Sequence, residues 1–176
     1  ERSTITPDTP IFLHSLGGDP AAGLEGGHII RDARLNTGVG RNTRDPAQSG
    51  SLDLYANSRI YPGYCVSACT LAFLGGVARQ VNPGSTYAVH QVSMNCIDRR
   101  QARSRFPWVP VPGVTYCPEL NEALSMVQIA SGAVVEYVRT MGADPIFLTE
   151  MSKSAPNAVN ALTEEQLNAY RINFPM

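Results

Sequence analysis

The sequence predicts an α/β fold, in which short buried strands alternate with amphipathic helices. Two observations lead to this prediction. The apolar run at residues 10–14 ends in the S-L-G-G turn at 15–18 and is followed by a helical pattern, which is the order of an α/β unit. The β-branched and aromatic run at 86–92 predicts a second strand after another helical segment.

The first helix is predicted over about residues 20–34. Asp19 suits its N-cap and Pro20 its first position, and the apolar residues that follow recur at roughly helical spacing. Residues 35–39 then favour a strand, and the polar stretch at 41–51, which contains Gly and Asn, predicts a surface loop.

More helices are predicted downstream. Residues 68–74 are small and apolar and end at a glycine pair, which is typical of a buried helix with a glycine stop. Residues 119–140 carry a long amphipathic pattern. An N-cap followed by proline at Asp144 predicts a short helix, and a capping box beginning at Thr163 predicts another.

Composition narrows the class of protein. The 176 residues are 43% apolar and 16% charged with a net charge of −1, which is typical of a globular chain and indicates no nucleic-acid or acidic-membrane partner. No apolar run approaches the roughly 18–20 residues of a membrane span. The chain begins at Glu1 without an initiator methionine or signal peptide, so we expect a processed or trimmed product.

The four cysteines lie at positions 65, 69, 96 and 117. Their spacing and the lack of a paired histidine motif argue against structural zinc, and we predict no metal or other cofactor. Cys96 and Cys117 bracket a proline-rich segment, which favours a disulfide and an exported protein over two thiols in a reducing compartment. For Cys65 and Cys69 we favour buried packing thiols over a disulfide, which needs an irregular first helical turn.

Ser67 and His90 are candidates for a hydroxyl nucleophile and its base. Ser67 begins a predicted helix among small residues, where a hydroxyl can project and free backbone amides can stabilise an oxyanion. His90 lies in an otherwise apolar strand, a costly place for a polar ring without partners. Plain structural interpretations remain: Ser67 as an ordinary N-cap, His90 as a satisfied core histidine, and Gly17-Gly18 as a simple turn.

The motifs S-L-G-G, C-V-S-A-C-T-L-A-F-L-G-G and Y-A-V-H-Q, in this order, resemble the Clp peptidase and crotonase superfamily. They are most similar to its exported, Clp-peptidase-like bacterial members. The resemblance spans about residues 10–172 and implies a repeated ββα spiral that lacks its first strand. It also implies one domain over residues 1–176, with loop insertions at 41–60 and 94–117.

The resemblance implies the roles of particular residues. Ser67 takes the position of the nucleophile and His90 that of the base. The amides of Gly17 and Ala68 take the position of the oxyanion hole, with Gly18 as their neighbour. The implied function is a serine peptidase or acyl hydrolase, periplasmic or secreted, that acts on a peptide or protein substrate. Homo-oligomers are common in the family, although the second insertion could equally block such assembly.

Two departures from the family pattern bear on activity. The stretch that matches the family's third catalytic residue, 154–160, contains no carboxylate, so Asn157 is the best positional match and Asn160 the next. An earlier acid, Asp144, could serve only if the chain folds back differently. Asp19 stands where relatives have a small residue, and its charge would oppose a developing oxyanion.

These departures favour one alternative function, a catalytically weak or inactive module for binding or assembly outside the cytosol. A third function, a crotonase-type enzyme acting on acyl thioesters, is the least favoured of the three. Exported proteins rarely meet coenzyme A, and the sequence shows no basic pocket for the phosphates of that cofactor.

Overall fold

A computed structural model describes residues 6–44, 58–91, 97–98, 115–116, 119–155 and 158–174. The chain divides into one unit that combines Glu1–Gln91 with Val134–Met176 and a second unit formed by Val92–Ala133. The second unit contains the insertion predicted at 94–117.

Strands and helices are numbered in chain order. The strands are β1 (Pro10–Leu13), β2 (Asn36–Val39), β3 (Arg41–Arg44), β4 (Ser58–Tyr61), β5 (Tyr64–Val66), β6 (Arg79–Val81), β7 (Thr86–Val89), β8 (Ile97–Asp98), β9 (Thr115–Tyr116) and β10 (Asn160–Ala161). The α-helices are α1 (Pro20–Asp32), α2 (Ala68–Leu74), α3 (Leu120–Thr140), α4 (Leu148–Met151) and α5 (Glu164–Ala169), and a 3₁₀ turn spans Pro145–Phe147. This mixture confirms the α/β class.

Parallel strand pairs form the centre of the first unit. One sheet has the parallel order β1-β2-β6, and the other pairs β5 parallel to β7 and β7 antiparallel to β10. A parallel bridge between Ser15 and Cys65 joins the continuation of β1 to β5. This bridge places the turn after β1 beside the strand that leads to Ser67. In the second unit, β8 pairs antiparallel with β9.

The structure confirms the capping signals and the two helices that the sequence predicts at 68–74 and 119–140. Asp19 Oδ1 accepts a hydrogen bond from the amide of Ala21 at 2.9 Å and begins α1, with Pro20 at its first position. Thr163 and Gln166 form the capping box of α5. The helix predicted at 119–140 is α3, and the helix predicted at 68–74 is α2.

The prediction of a loop at 41–51 is wrong for the first four of these residues. Residues 41–44 form β3, which pairs antiparallel with β4 so that Arg41 lies opposite Tyr61. The partner strand is distant in sequence, and the polar run of β3 carries no apolar alternation that would indicate a strand.

The core of the first unit holds α1 and α2 close together. Phe73 and Tyr87 are almost fully buried at the centre of the apolar cluster, with their rings 5.4 Å apart in an edge-to-face arrangement. A Cβ atom on Gly23 of α1 would come within 2.5 Å of the Ala68 carbonyl oxygen. The first turn of α2 is therefore packed directly against α1. No helix among the described residues is long and apolar enough to cross a membrane.

Candidate functional site

Ser67 joins β5 directly to α2 in a strained backbone conformation. Its φ is 57° and its ψ is −128°, a region that costs a residue with a side chain on the order of 1–3 kcal/mol. Ser67 occupies the N-cap position, yet its side chain makes no capping hydrogen bond. Its hydroxyl has no hydrogen-bond partner among the described residues, and the residue is half-buried. An ordinary N-cap therefore does not explain this serine.

The sheet places Ser67 and His90 at the same edge. The amide of Ser67 donates to the carbonyl oxygen of Ala88 at 3.1 Å, and His90 directly follows β7. Both residues thus stand at the carboxyl ends of neighbouring parallel strands. Within the described part of the chain, no hydrogen bond joins their side chains.

The ring of His90 is oriented by the next residue. Its Nδ1 atom lies 2.7 Å from the carbonyl oxygen of Gln91. Because a carbonyl oxygen only accepts hydrogen bonds, Nδ1 carries the proton in this contact. In the neutral ring the lone pair is then on Nε2, the tautomer that a general base requires.

The turn that contains Gly17 is hydrogen-bonded to the strand before Ser67. The Ser15 amide donates to the Tyr64 carbonyl at 2.8 Å, and the Val66 amide donates to the Ser15 carbonyl at 3.0 Å. Gly17 has φ of +102°, and a Cβ atom there would lie 2.6 Å from the Val66 oxygen and 2.7 Å from Ser67 Cβ. Only glycine fits this contact without movement.

The structure distinguishes three amides that the sequence grouped together. The Gly17 amide donates to Ser15 Oγ at 3.1 Å. The Gly18 and Ala68 amides have no acceptor among the described residues, as expected for Ala68 at the first position of a helix. A Cβ atom on Gly18 would meet nothing within 4 Å, so open space lies in front of it. The Asp19 carboxylate, meanwhile, is engaged as the N-cap of α1.

Cys65 and Cys69 form a disulfide with their Cα atoms 5.2 Å apart. The expectation of buried packing thiols is therefore wrong for this pair, although both residues are buried. The reason is the positive φ of Ser67, which makes the intervening turn irregular and brings the two sulfur atoms together. The disulfide thus closes around the candidate nucleophile.

Three of the sequence candidates, Cys96, Cys117 and Asn157, lie outside the described residues. Asn160 is described and lies opposite Val89 in the pairing of β10 with β7, next to the strand that leads to His90. Asp144 caps the 3₁₀ turn, where its Oδ1 accepts from the Ile146 amide at 3.0 Å. Neither side chain has a hydrogen bond to His90.

Glu150 is a buried carboxylate that sequence reasoning missed. It is 2% exposed and accepts hydrogen bonds from Lys153 Nζ at 2.7 Å, Tyr170 Oη at 2.8 Å and Asn160 Nδ2 at 3.1 Å. The hydrogen bond from Lys153, and next that from Tyr170, lowers the pKa of this carboxyl group. Only the spacing of Glu150 and Lys153 could have drawn attention to it.

The Glu150 cluster is connected to the segment that carries His90. Gln91 Nε2 donates to the carbonyl oxygen of Ser152 at 3.2 Å, just beyond the end of α4. Asn160 provides the second connection, because its side chain binds Glu150 while its backbone pairs with β7. The cluster therefore supports the strand end and the residue whose carbonyl orients His90.

In the described part of the chain, no group of three or more His, Cys, Asp or Glu side chains could hold a metal ion. Comparison of the sequence with models of protein families and with curated proteins finds no match.

Proposed function

We propose that the chain is a serine hydrolase, peptidase or acyl hydrolase, with Ser67 as nucleophile and His90 as general base. The observation that carries this proposal is the uncapped Ser67 on a strained strand-to-helix turn. The same device exposes the nucleophile of α/β-hydrolases. The hydroxyl of Ser67 does not cap α2, so the role of an ordinary N-cap does not account for it.

His90 supplies the proton acceptor in this mechanism. With Nδ1 hydrogen-bonded to the Gln91 carbonyl, Nε2 is the atom that takes the Ser67 proton as Oγ attacks the substrate carbonyl carbon. His90 then gives this proton to the leaving group, and an acyl-enzyme remains on Ser67. Water hydrolyses the acyl-enzyme in the second half of the reaction, again with His90 as base.

The oxyanion is stabilised by the amides of Gly18 and Ala68. Both lack an acceptor among the described residues, whereas the Gly17 amide is engaged by Ser15 Oγ. Gly17 instead serves through its small size, because it lets the turn approach Ser67. Removing one such donor typically slows catalysis by a factor of about 10²–10³.

The fold family, the substrate class and the location that we propose are each supported by one observation. The Clp-peptidase-like spiral is supported by the parallel bridge that joins the glycine turn to the nucleophile strand. A peptide or protein substrate agrees with the open space in front of Gly18. A periplasmic or secreted location agrees with the disulfide, since such bonds persist in oxidising compartments.

A second candidate function is a catalytically weak or inactive binding or assembly module. One observation favours it: no hydrogen bond joins Ser67 to His90, and among the described residues no carboxylate is bonded to His90. Catalytic hydrogen bonds are often long in free enzymes and tighten with substrate. The serine hydrolase therefore remains the function that the site supports best.

Turnover of an activated ester, such as p-nitrophenyl acetate, separates the two functions. We expect the wild type to hydrolyse the ester and Ser67→Ala and His90→Gln to lose this activity. The control variant Ser152→Ala, which removes an exposed hydroxyl directly after α4, should keep it. Equal rates in all four proteins would show that Ser67 and His90 are not the catalytic groups.

A further inference from the structure

Three arginine side chains line one cavity in the first unit, at the carboxyl end of α2. Arg31, Arg79 and Arg171 surround a volume of about 140 Å³, together with the ring of Phe174. Ser67 stands at the amino end of the same helix. The cavity is thus separate from the site described above.

Arg79 is held rigidly by backbone carbonyl groups. It is only 3% exposed, and its guanidinium donates to the oxygens of Met141 at 2.7 Å, Arg171 at 2.8 Å and Ile172 at 3.0 Å. Arg31 shares one of these acceptors, because its Nη2 also donates to Met141 at 3.2 Å. The two guanidinium groups are therefore fixed side by side.

No carboxylate neutralises these charges among the described residues. Burial, and next the charge of Arg31, lowers the pKa of Arg79 to about 10, and Arg171 acts in the same direction. Among the described residues, the guanidinium of Arg171 has only the ring of Phe174 as a partner, at 5.8 Å. Like charges therefore meet here without a side-chain anion.

The helix ends offset only part of this charge. The carboxyl ends of α2 and α3 supply the carbonyl acceptors, and each helix end carries roughly half a negative charge. Two such ends compensate for about one of the three guanidinium groups. Arg79 is buried beside the other two charges, and a buried charge without a counter-ion is costly, so an anion in the cavity would stabilise the fold.

We propose that this cavity binds a small oxygen anion, either a free oxoanion such as phosphate or the carboxylate at the end of a peptide. A volume of about 140 Å³ equals that of roughly four or five waters. It is smaller than the roughly 300 Å³ at which pockets for drug-sized ligands begin. Arg171 is exposed, and in the described part of the chain its fork of donors has no hydrogen-bond acceptor, which suits bidentate binding of an oxyanion.

Calorimetric titration of the full chain with inorganic phosphate at low ionic strength tests the proposal. Arg171→Gln removes an exposed cavity arginine, and Arg41→Gln removes the same charge at an exposed position of β3, outside the cavity. We expect equal phosphate affinity for the wild type and Arg41→Gln, and about tenfold weaker binding for Arg171→Gln, as for loss of one charge-assisted hydrogen bond. Buried Arg79 is not substituted, because its loss would leave the carbonyl groups that it binds without their donor.

A parallel titration with N-acetylglycine distinguishes the two sources of the anion. Tighter binding of phosphate identifies a free oxoanion, and tighter binding of N-acetylglycine identifies the end of a peptide. Thermal unfolding with and without each anion gives an independent reading, because a ligand of the native state raises the melting temperature. Binding of neither anion at tens of millimolar, or equal affinity in Arg171→Gln and the wild type, would overturn the proposal.

Discussion

Gly17 contacts the turn at Ser67 so closely that a single methyl group tests the geometry of the site. In Gly17→Ala the new Cβ would lie 2.7 Å from Ser67 Cβ, in a backbone with φ of +102°. We expect a loss of about 1–3 kcal/mol in the free energy of unfolding and at least a tenfold slower reaction of Ser67 with an acylating reagent.

Gly26→Ala is the matched control for this substitution. It adds a methyl group to α1, where the Cβ would meet only Ala72 Cβ at an ordinary 3.8 Å. Here we expect a gain of about 0.5–1 kcal/mol and unchanged reactivity of Ser67. Chemical denaturation and labelling kinetics measure both effects. If Ser67 reacts at the wild-type rate in Gly17→Ala, then the close contact of Gly17 does not position Ser67.

Glu150 makes the stability of the protein depend on pH. Its folded-state pKa lies below the ordinary value of 4.5, so its contribution is fully present above pH 4.5 and is lost as pH falls through the folded pKa. Glu150→Gln should therefore be less stable than the wild type at neutral pH, and this difference should shrink below pH 4.5. Urea denaturation from pH 7 to pH 3 measures the difference.

Glu25→Gln controls for the loss of a negative charge, because Glu25 is exposed on α1. We expect it to follow the wild type at every pH. If Glu150→Gln does the same, then the contacts from Lys153 and Tyr170 do not stabilise the fold through the charge of Glu150.

At the scale of elements, the disulfide fixes the junction of β5 and α2. Closing so short a loop contributes about 2 kcal/mol in the chain-entropy estimate, and the bond encloses Ser67. We expect a dithiol reductant to lower the stability by about this amount and to slow the labelling of Ser67. The reduction converts the disulfide to two thiols, with the reductant oxidised in turn.

The double variant Cys65→Ala/Cys69→Ala identifies the cysteines responsible. It should show the low stability and slow labelling of the reduced wild type, and reductant should change neither any further. A wild-type rate of labelling in the double variant would show that the disulfide does not position Ser67.

The elements that the sequence predicted correctly have local signals. The N-cap at Asp19 and the capping box at Thr163 lie within a few residues of the helices that they begin. Strand β3 has no such local signal, because it depends on pairing with β4, which is distant in the chain. The Cys65–Cys69 bond is disfavoured by regular helical spacing, and the positive φ of Ser67 that allows the bond has no signal in the sequence.

For the site, too, local patterns carry a signal in the sequence and tertiary contacts do not. Ser67 and His90 could be proposed because the motifs around them resemble those of a known superfamily and each residue lies at the end of a short element. The amide of Gly18, which has no acceptor among the residues that the structure describes, could not be told from that of Gly17, since the difference depends on the hydroxyl of Ser15. The contacts of Glu150 were harder to predict, because only Lys153 lies close to it in the sequence, while Asn160 and Tyr170 are brought to it by the tertiary fold.

At the scale of the whole molecule, the disulfide predicts where the protein attains its native form. Chain produced in an oxidising compartment should contain the Cys65–Cys69 bond, while chain produced in a reducing cytosol should lack it. Alkylation of free thiols followed by peptide mass mapping detects the difference. Quantitative alkylation of both residues in periplasmic protein would contradict the proposed location.

The central claim is that Ser67 is an activated nucleophile, and reaction with a fluorophosphonate tests it most directly. The native wild type and Ser152→Ala should each gain one phosphonyl group, located on Ser67 by peptide mapping. Ser67→Ala should gain none, and His90→Gln should react far more slowly because it lacks the base. Equal labelling of the wild type and Ser67→Ala, or no labelling of the native wild type, would contradict the hydrolase and leave the binding module as the function.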